Sequence, residues 1–123
     1  MNQPTNKKPQ YDLEERTFLF ARDVRCFIKT LSYSKANEED GKQLIRSSGS
    51  VGANYIEANE ALGKKDFLMR IRICRKEAKE SAYWLRLILS TNELNNAAEG
   101  ERLKNEAVQF KKIFHAILQN AQH

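Results

Sequence analysis

The sequence predicts an all-α protein, folded as an antiparallel up-down-up-down four-helix bundle. Three observations carry this reading. The only prolines, Pro4 and Pro9, stand in the first ten residues, so the chain beyond Gln10 lacks the residue that most strongly breaks helices. Apolar residues then recur at steps of three, four and seven, and no window alternates with the period of two that marks a strand. Short polar links separate the apolar runs, which favours antiparallel neighbours. With 123 residues, 41% hydrophobic and 30% charged, the chain suits one folded domain rather than a disordered one.

The polar start, "MNQPTNKKPQ", reads as a disordered leader over residues 1–10, with the bundle over 11–123. It has neither the apolar run of a secretory signal nor an amphipathic arginine pattern. The first helix is expected over about 12–31, opened by Asp12 with Glu15 at the reciprocal capping position. Leu13, Phe20, Val24, Phe27 and Leu31 form its apolar stripe. After "SYSKAN" the second helix is expected over about 37–62, opened by Asn37 with Asp40 and closed by a left-handed Gly63. The third is expected over about 64–90, with Phe67, Ile71, Cys74, Ala78, Ser81, Leu85 and Ile88 on its seam. "STNELNN" links it to a fourth helix over about 96–121, capped by Asn96 with Glu99 and seamed by Leu103, Ala107, Phe110, Phe114 and Ile117.

The second helix contains an unusual stretch, "RSSGSVGANYIEANEA". Arranged as a helix it gives three parallel stripes. Leu44, Ser48, Val51, Tyr55, Ala58 and Leu62 face the core, Ile45, Gly49, Gly52 and Ile56 lie on one flank, and Ser47, Ser50, Asn54 and Glu57 on the other. An interior glycine costs a helix about 1 kcal/mol against alanine. Gly49 and Gly52 are therefore expected to admit the close approach of a neighbouring helix. A phosphate loop is the competing reading, but the stretch lacks the GxxxxGK[ST] pattern and a preceding strand.

Other functional classes find little support. No window reaches the roughly 18 apolar residues of a membrane span. Cys26 and Cys74 fall on apolar helix faces and are expected to be buried free thiols in a reducing cytoplasm. With only His115 and His123 available, no zinc site is expected, nor any other metal or cofactor. Glu57 and Glu60 on the second helix, with Glu77 and Glu80 on the third, could bring four carboxylates together. They lack the Glu-x-x-His element of di-iron bundles, so a structural role is expected, in which Glu57 and Glu77 accept hydrogen bonds from Asn54, Ser50, Ser81 or a neighbouring cation. No nucleophile, base and acid converge by spacing, and the chain reads as a non-enzyme.

Two segments carry a resemblance. Ser50, Val51, Ala53, Asn54 and Glu57 match a Ser-aliphatic-x-Ala-Asn…Glu motif, and Lys65, Asp66 and Phe67 a following helix start. Glu77, Ala78, Glu80, Ser81, Trp84 and Leu85 match a Glu-Ala-x-Glu-Ser-x-x-Trp-Leu run. Together they resemble the bacterial four-helix-bundle family of large-subunit rRNA intervening-sequence proteins. Many members carry proline where this chain has Gly52 and serine where it has Gly63. The resemblance implies a small cytoplasmic bundle without enzymatic activity that assembles as a homopentamer. A related branch, the accessory proteins of diversity-generating retroelements, implies nucleic acid and a reverse transcriptase as partners.

The sharpest functional signal is a set of cations on the third helix. Lys65, Arg72, Arg75, Lys79 and Arg86 share one face, placed roughly opposite the apolar seam, with Lys64, Arg70 and Lys76 nearby. From Lys64 to Lys79, seven cations face only Asp66 and Glu77, a surplus equal to the net charge of +5 of the whole chain. Such a stripe can follow the phosphates of RNA or DNA and release their counterions. A solvated face, or a surface for an acidic protein, is the alternative. No aromatic residue is expected to interleave the cations of the stripe as a base-stacking platform, so base reading is not expected. Phe18, Leu19, Ile73, Tyr83, Trp84 and Leu87 fall outside the seams and are the candidates for a self-association surface.

Overall fold

The computed structural model describes residues 12–121, and the expected leader lies outside them, as does His123. Four helices follow one another: α1 (Leu13–Lys29), α2 (Lys35–Asn59), α3 (Lys64–Thr91) and α4 (Ala97–Ala121). Consecutive helices pack side by side and α1 returns to α4, giving the expected up-down-up-down order. Among the described residues there is no strand.

The middle of each expected seam is buried, whereas Leu13, Leu31, Tyr55 and Phe67 are half-buried, and on α4 Leu118 takes the inward place expected of the half-buried Ile117. Phe20, Val24 and Phe27 of α1 meet Leu44, Val51 and Ala58 of α2 and Ile71, Cys74, Ala78, Leu85 and Ile88 of α3. Leu103, Ala107, Phe110, Phe114 and Leu118 complete the core from α4. Fully burying one such leucine, isoleucine or phenylalanine side chain contributes roughly 1.5–3 kcal/mol, so this layer dominates the stability of the fold. On the α1–α4 side, Phe20 meets Phe110 edge-on at 5.3 Å. Outside that contact Arg16 grips Glu106 through two hydrogen bonds of 2.7 Å. Arg102 likewise joins Glu99 of its own helix to Asp23 of α1. These carboxylates raise both guanidinium groups above their ordinary range, Arg16 through its hydrogen bonds with Glu106 and Arg102 chiefly through those with Glu99.

The helix ends correct several expectations. Asp12 caps α1 as expected, accepting from the Glu15 N–H at 2.8 Å. At its other end Thr30 closes the helix, ahead of Leu31. Ser34 rather than Asn37 caps α2, accepting from the Asn37 N–H at 3.0 Å. Asn37 is instead a buried cross-link whose amide exchanges hydrogen bonds of 2.8 and 2.9 Å with Asn92 at the end of α3. α2 stops at Asn59, three residues before the expected end, so Leu62 leaves the core stripe and is fully exposed in the link. Gly63 is not left-handed: it is the extended residue that begins α3, with φ −156°. The expected Asn96–Glu99 side-chain box does not form, because Arg102 takes both Glu99 oxygens, at 2.7 and 2.8 Å. The Asn96 carbonyl instead accepts from the Glu99 and Gly100 N–H groups, at 3.0 and 3.4 Å.

At Gly52 α1 approaches α2 closely. A Cβ built there would lie 2.9 Å from Thr17 Oγ1 and 3.2 Å from Thr17 Cβ. Gly49 meets only the end of the Arg25 side chain, at 3.2 Å. A third contact of this kind was not legible in the sequence: at Gly100 of α4 a Cβ would meet Leu89 and Phe27 at 2.6 and 2.8 Å.

Candidate functional site

The cations of α3 do not stand opposite its seam. Arg72, Arg75 and Lys79 each follow one of Ile71, Cys74 and Ala78 and so lie about 100° around from them, on the flank that turns towards α4. There they meet Lys111, Lys112 and His115 of α4, and with Lys76 these residues line a groove of about 540 Å³. Arg75 is half-buried at its floor, its Nη1 3.0 Å from His115 Nδ1. An arginine can only donate, so His115 Nδ1 is the acceptor of this bond. The lining contains six cations and no carboxylate. Among the described residues Lys76 alone of the six is in an ion pair, 3.9 Å from Glu80. Lys65 and Arg86 are exposed, each about two turns beyond the groove, and do not line it.

The α4 contribution has a sequence signal that the charge count alone does not reveal. Lys111 and His115 each follow a seam phenylalanine, Phe110 and Phe114, and four residues separate them. They therefore share the flank of α4 that borders α3.

Aromatic side chains adjoin the cations after all. Lys76, Lys79, Glu80, Tyr83 and Trp84 line a second recess of about 300 Å³, which shares its two lysines with the groove. Tyr83 is 53% exposed. Its ring meets Trp84 edge-on at 5.3 Å and 71°. Trp84 is half-buried against the core, and its indole N–H is buried without a hydrogen-bond partner among the described residues.

The remaining motif residues join α2 to α3. Ser81 and Ser47 are fully buried and share a hydrogen bond of 2.8 Å, which requires the two helices to lie close together. Asn54 donates to the Ser50 carbonyl and hydroxyl, both at 2.9 Å, and its Oδ1 accepts from Arg70 at 3.0 Å. These bonds occupy the Asn54 amide, and Glu57 beside it is exposed and, among the described residues, does not make the hydrogen bond expected for it. Glu77 is buried, but neither Asn54 nor Ser81 serves its carboxylate: Arg46 lies 3.6 Å from its Oε1, too long for a hydrogen bond but close enough for ionic attraction. Glu80 also meets Arg46, at 3.4 Å. Among the described residues no three His, Cys, Asp or Glu side chains gather as a metal site would need.

Of the self-association candidates, Phe18 is 59% exposed and Tyr83 53%, whereas Leu19, Ile73, Trp84 and Leu87 are half-buried. The cysteines differ. Cys74 is buried and donates to the Val51 carbonyl, and burial pushes its thiol up to about 12. Cys26 is exposed, because it lies about 100° around α1 from Phe27 and farther still from Val24. Among the described residues no helix is long and apolar enough to cross a membrane.

The sequence signature of the 23S rRNA-intervening sequence proteins matches residues 10–116. The chain belongs to that family. A similar fold occurs in a crystal structure, at 1.70 Å, of a protein of unknown function from the S23 ribosomal protein family of Bacteroides thetaiotaomicron VPI-5482. The two share 30% identity and a TM-score of 0.73, over 85% of this chain and 96% of the other. No curated protein matches the sequence. Within the 23S rRNA-intervening sequence protein family, then, this member presents the four-helix bundle with an all-basic groove between α3 and α4.

Proposed function

We propose that the protein is a non-enzymatic, cytoplasmic homo-oligomer, of five copies, that binds nucleic acid without sequence preference in the α3–α4 groove. The observation that carries this reading is the lining of that groove, where Arg72, Arg75, Lys76, Lys79, Lys111 and Lys112 converge from two helices with no carboxylate among them. Cations clustered this way repel one another and are stabilised by a polyanion, whose condensed counterions they release. The family's description, which names an rRNA intervening sequence, agrees with RNA as that polyanion.

Self-association rests on different residues. Phe18 is the most exposed of the six candidates, and it belongs to α1, which takes no part in the groove. Contacts through α1 would leave each groove open, and several weak grooves on one assembly act together.

Titration of an RNA oligomer at increasing salt tests the binding. With four to six phosphates engaged per groove, log K should fall with log salt at a slope of roughly −3 to −4 for a single strand. Charge reversal of Arg72, Arg75 and Lys79 should abolish binding, and binding that survives the reversal refutes the groove. Light scattering tests the assembly: a monomer at micromolar concentration refutes it, and Phe18→Ser should weaken it.

A further inference from the structure

We infer that Tyr83, braced by Trp84, extends the basic groove as a stacking shelf for an unpaired base, so that the protein takes single-stranded in preference to double-stranded nucleic acid. The inference rests on the groove reading and adds to it the strandedness of the ligand. Three observations carry it. The recess at Tyr83 and the basic groove share Lys76 and Lys79, so they form one continuous surface. Tyr83 follows Lys79 by one helical turn, as Lys79 follows Arg75, so the phenol ring continues the line of cations along α3. The edge-on contact with Trp84 holds the Tyr83 ring from one side, while more than half of the residue remains open.

The single carboxylate of this recess, Glu80, does not work against a phosphate. Arg46 lies 3.4 Å from it and Lys76 3.9 Å, so its charge is compensated. An unpaired base can lay its face on the Tyr83 ring while its phosphates enter the groove. A duplex keeps its bases stacked inside and offers the cations only its backbone. The shelf therefore discriminates by strandedness and not by sequence, since every base has a π-face.

Fluorescence anisotropy with a labelled oligoribonucleotide, alone and annealed to its complement, tests the inference on the full chain at about 50 mM salt. The wild type should prefer the single strand. Tyr83→Ala should lower single-strand affinity by roughly fivefold to a hundredfold and leave duplex affinity within about twofold. Tyr83→Phe, which keeps the ring, should retain the preference. Trp84 is the only tryptophan of the chain, so its emission gives a second readout that should respond to the single strand and not to the duplex. Equal binding of both forms with no effect of Tyr83→Ala overturns the shelf and leaves the groove standing. Loss of self-association in Tyr83→Ala also overturns it, because Tyr83 would then belong to a subunit contact. A wild type that binds neither form overturns groove and shelf together.

Discussion

Replacing Gly52 with alanine sets two opposed effects against each other, and the geometry decides between them. Alanine in a helix interior gains about 1 kcal/mol over glycine. The new Cβ, however, would stand 2.9 Å from Thr17 Oγ1 and 3.2 Å from Thr17 Cβ. Thr17 cannot easily move aside: it is fully buried, and its hydroxyl donates to the Leu13 and Glu14 carbonyls at 2.9 and 3.0 Å. Overpacking costs about 1–3 kcal/mol, and against a pinned Thr17 the upper part of that range, about 2–3 kcal/mol, applies, so after the helix gain Gly52→Ala should destabilise by about 1–2 kcal/mol. Gly49→Ala is the internal control. Its neighbour is the far end of the exposed Arg25 side chain, whose Nη2 holds only a long bond of 3.4 Å to the Ile45 carbonyl and can give way, so the helix gain should survive as about 0.5–1 kcal/mol of added stability. Thermal melts followed by far-UV circular dichroism, at one protein concentration, should separate the two variants by about 6–10 °C. Thr17→Ala placed in the Gly52→Ala background removes the nearest atom, and the pair should lose less than the sum of the single changes. A Gly52→Ala protein as stable as the wild type would refute the close contact between α1 and α2.

Two further predictions concern buried groups. Arg46 is the one described cation within ion-pair range of the buried Glu77, so Arg46→Ala should cost about 1–3 kcal/mol in a urea titration. Glu77→Gln should cancel most of that loss, and an additive double variant would refute the pairing. Among the thiols, Cys26 should react with a disulfide reagent near pH 8 in the native protein while Cys74 stays protected. Because the Cys74 thiol is raised in the folded state, its contribution to stability is present below the ordinary thiol range and lost as pH rises from about 9 to about 12. Cys74→Ala should flatten that part of the stability–pH curve, and an unchanged curve would contradict the assigned burial.

The helices were legible in the sequence because each buries one stripe, and a stripe leaves its period in the chain. Phe20, Val24 and Phe27, or Leu103, Ala107 and Phe110, could be placed inward without knowing what they touch. Gly52 was legible for the same reason, as a small residue beside a core stripe. What failed depended on partners distant in sequence. Asn37 looked like a cap until Asn92 arrived opposite it, and Glu99 like half of a capping box until Arg102 took its oxygens. Leu62 kept its phase on paper, but α2 ends before reaching it. The groove shows the same limit. The α3 cations could be counted, yet their convergence with Lys111, Lys112 and His115 depends on how α3 and α4 are rotated against each other. That rotation is set by the buried faces of both helices together, and no single stripe specifies it.

The central claim is that α3 and α4 bind a polyanion as one site, and the salt dependence of Lys111→Ala/Lys112→Ala tests it most directly. Losing two phosphate contacts should flatten the single-strand slope of log K against log salt by about 1.4, with a drop in affinity close to that of Arg72→Ala/Lys79→Ala. Lys29→Ala/Lys42→Ala, which removes the same charge away from the groove, should leave the slope unchanged. Equal slopes in the wild type and the α4 variant would contradict a shared site.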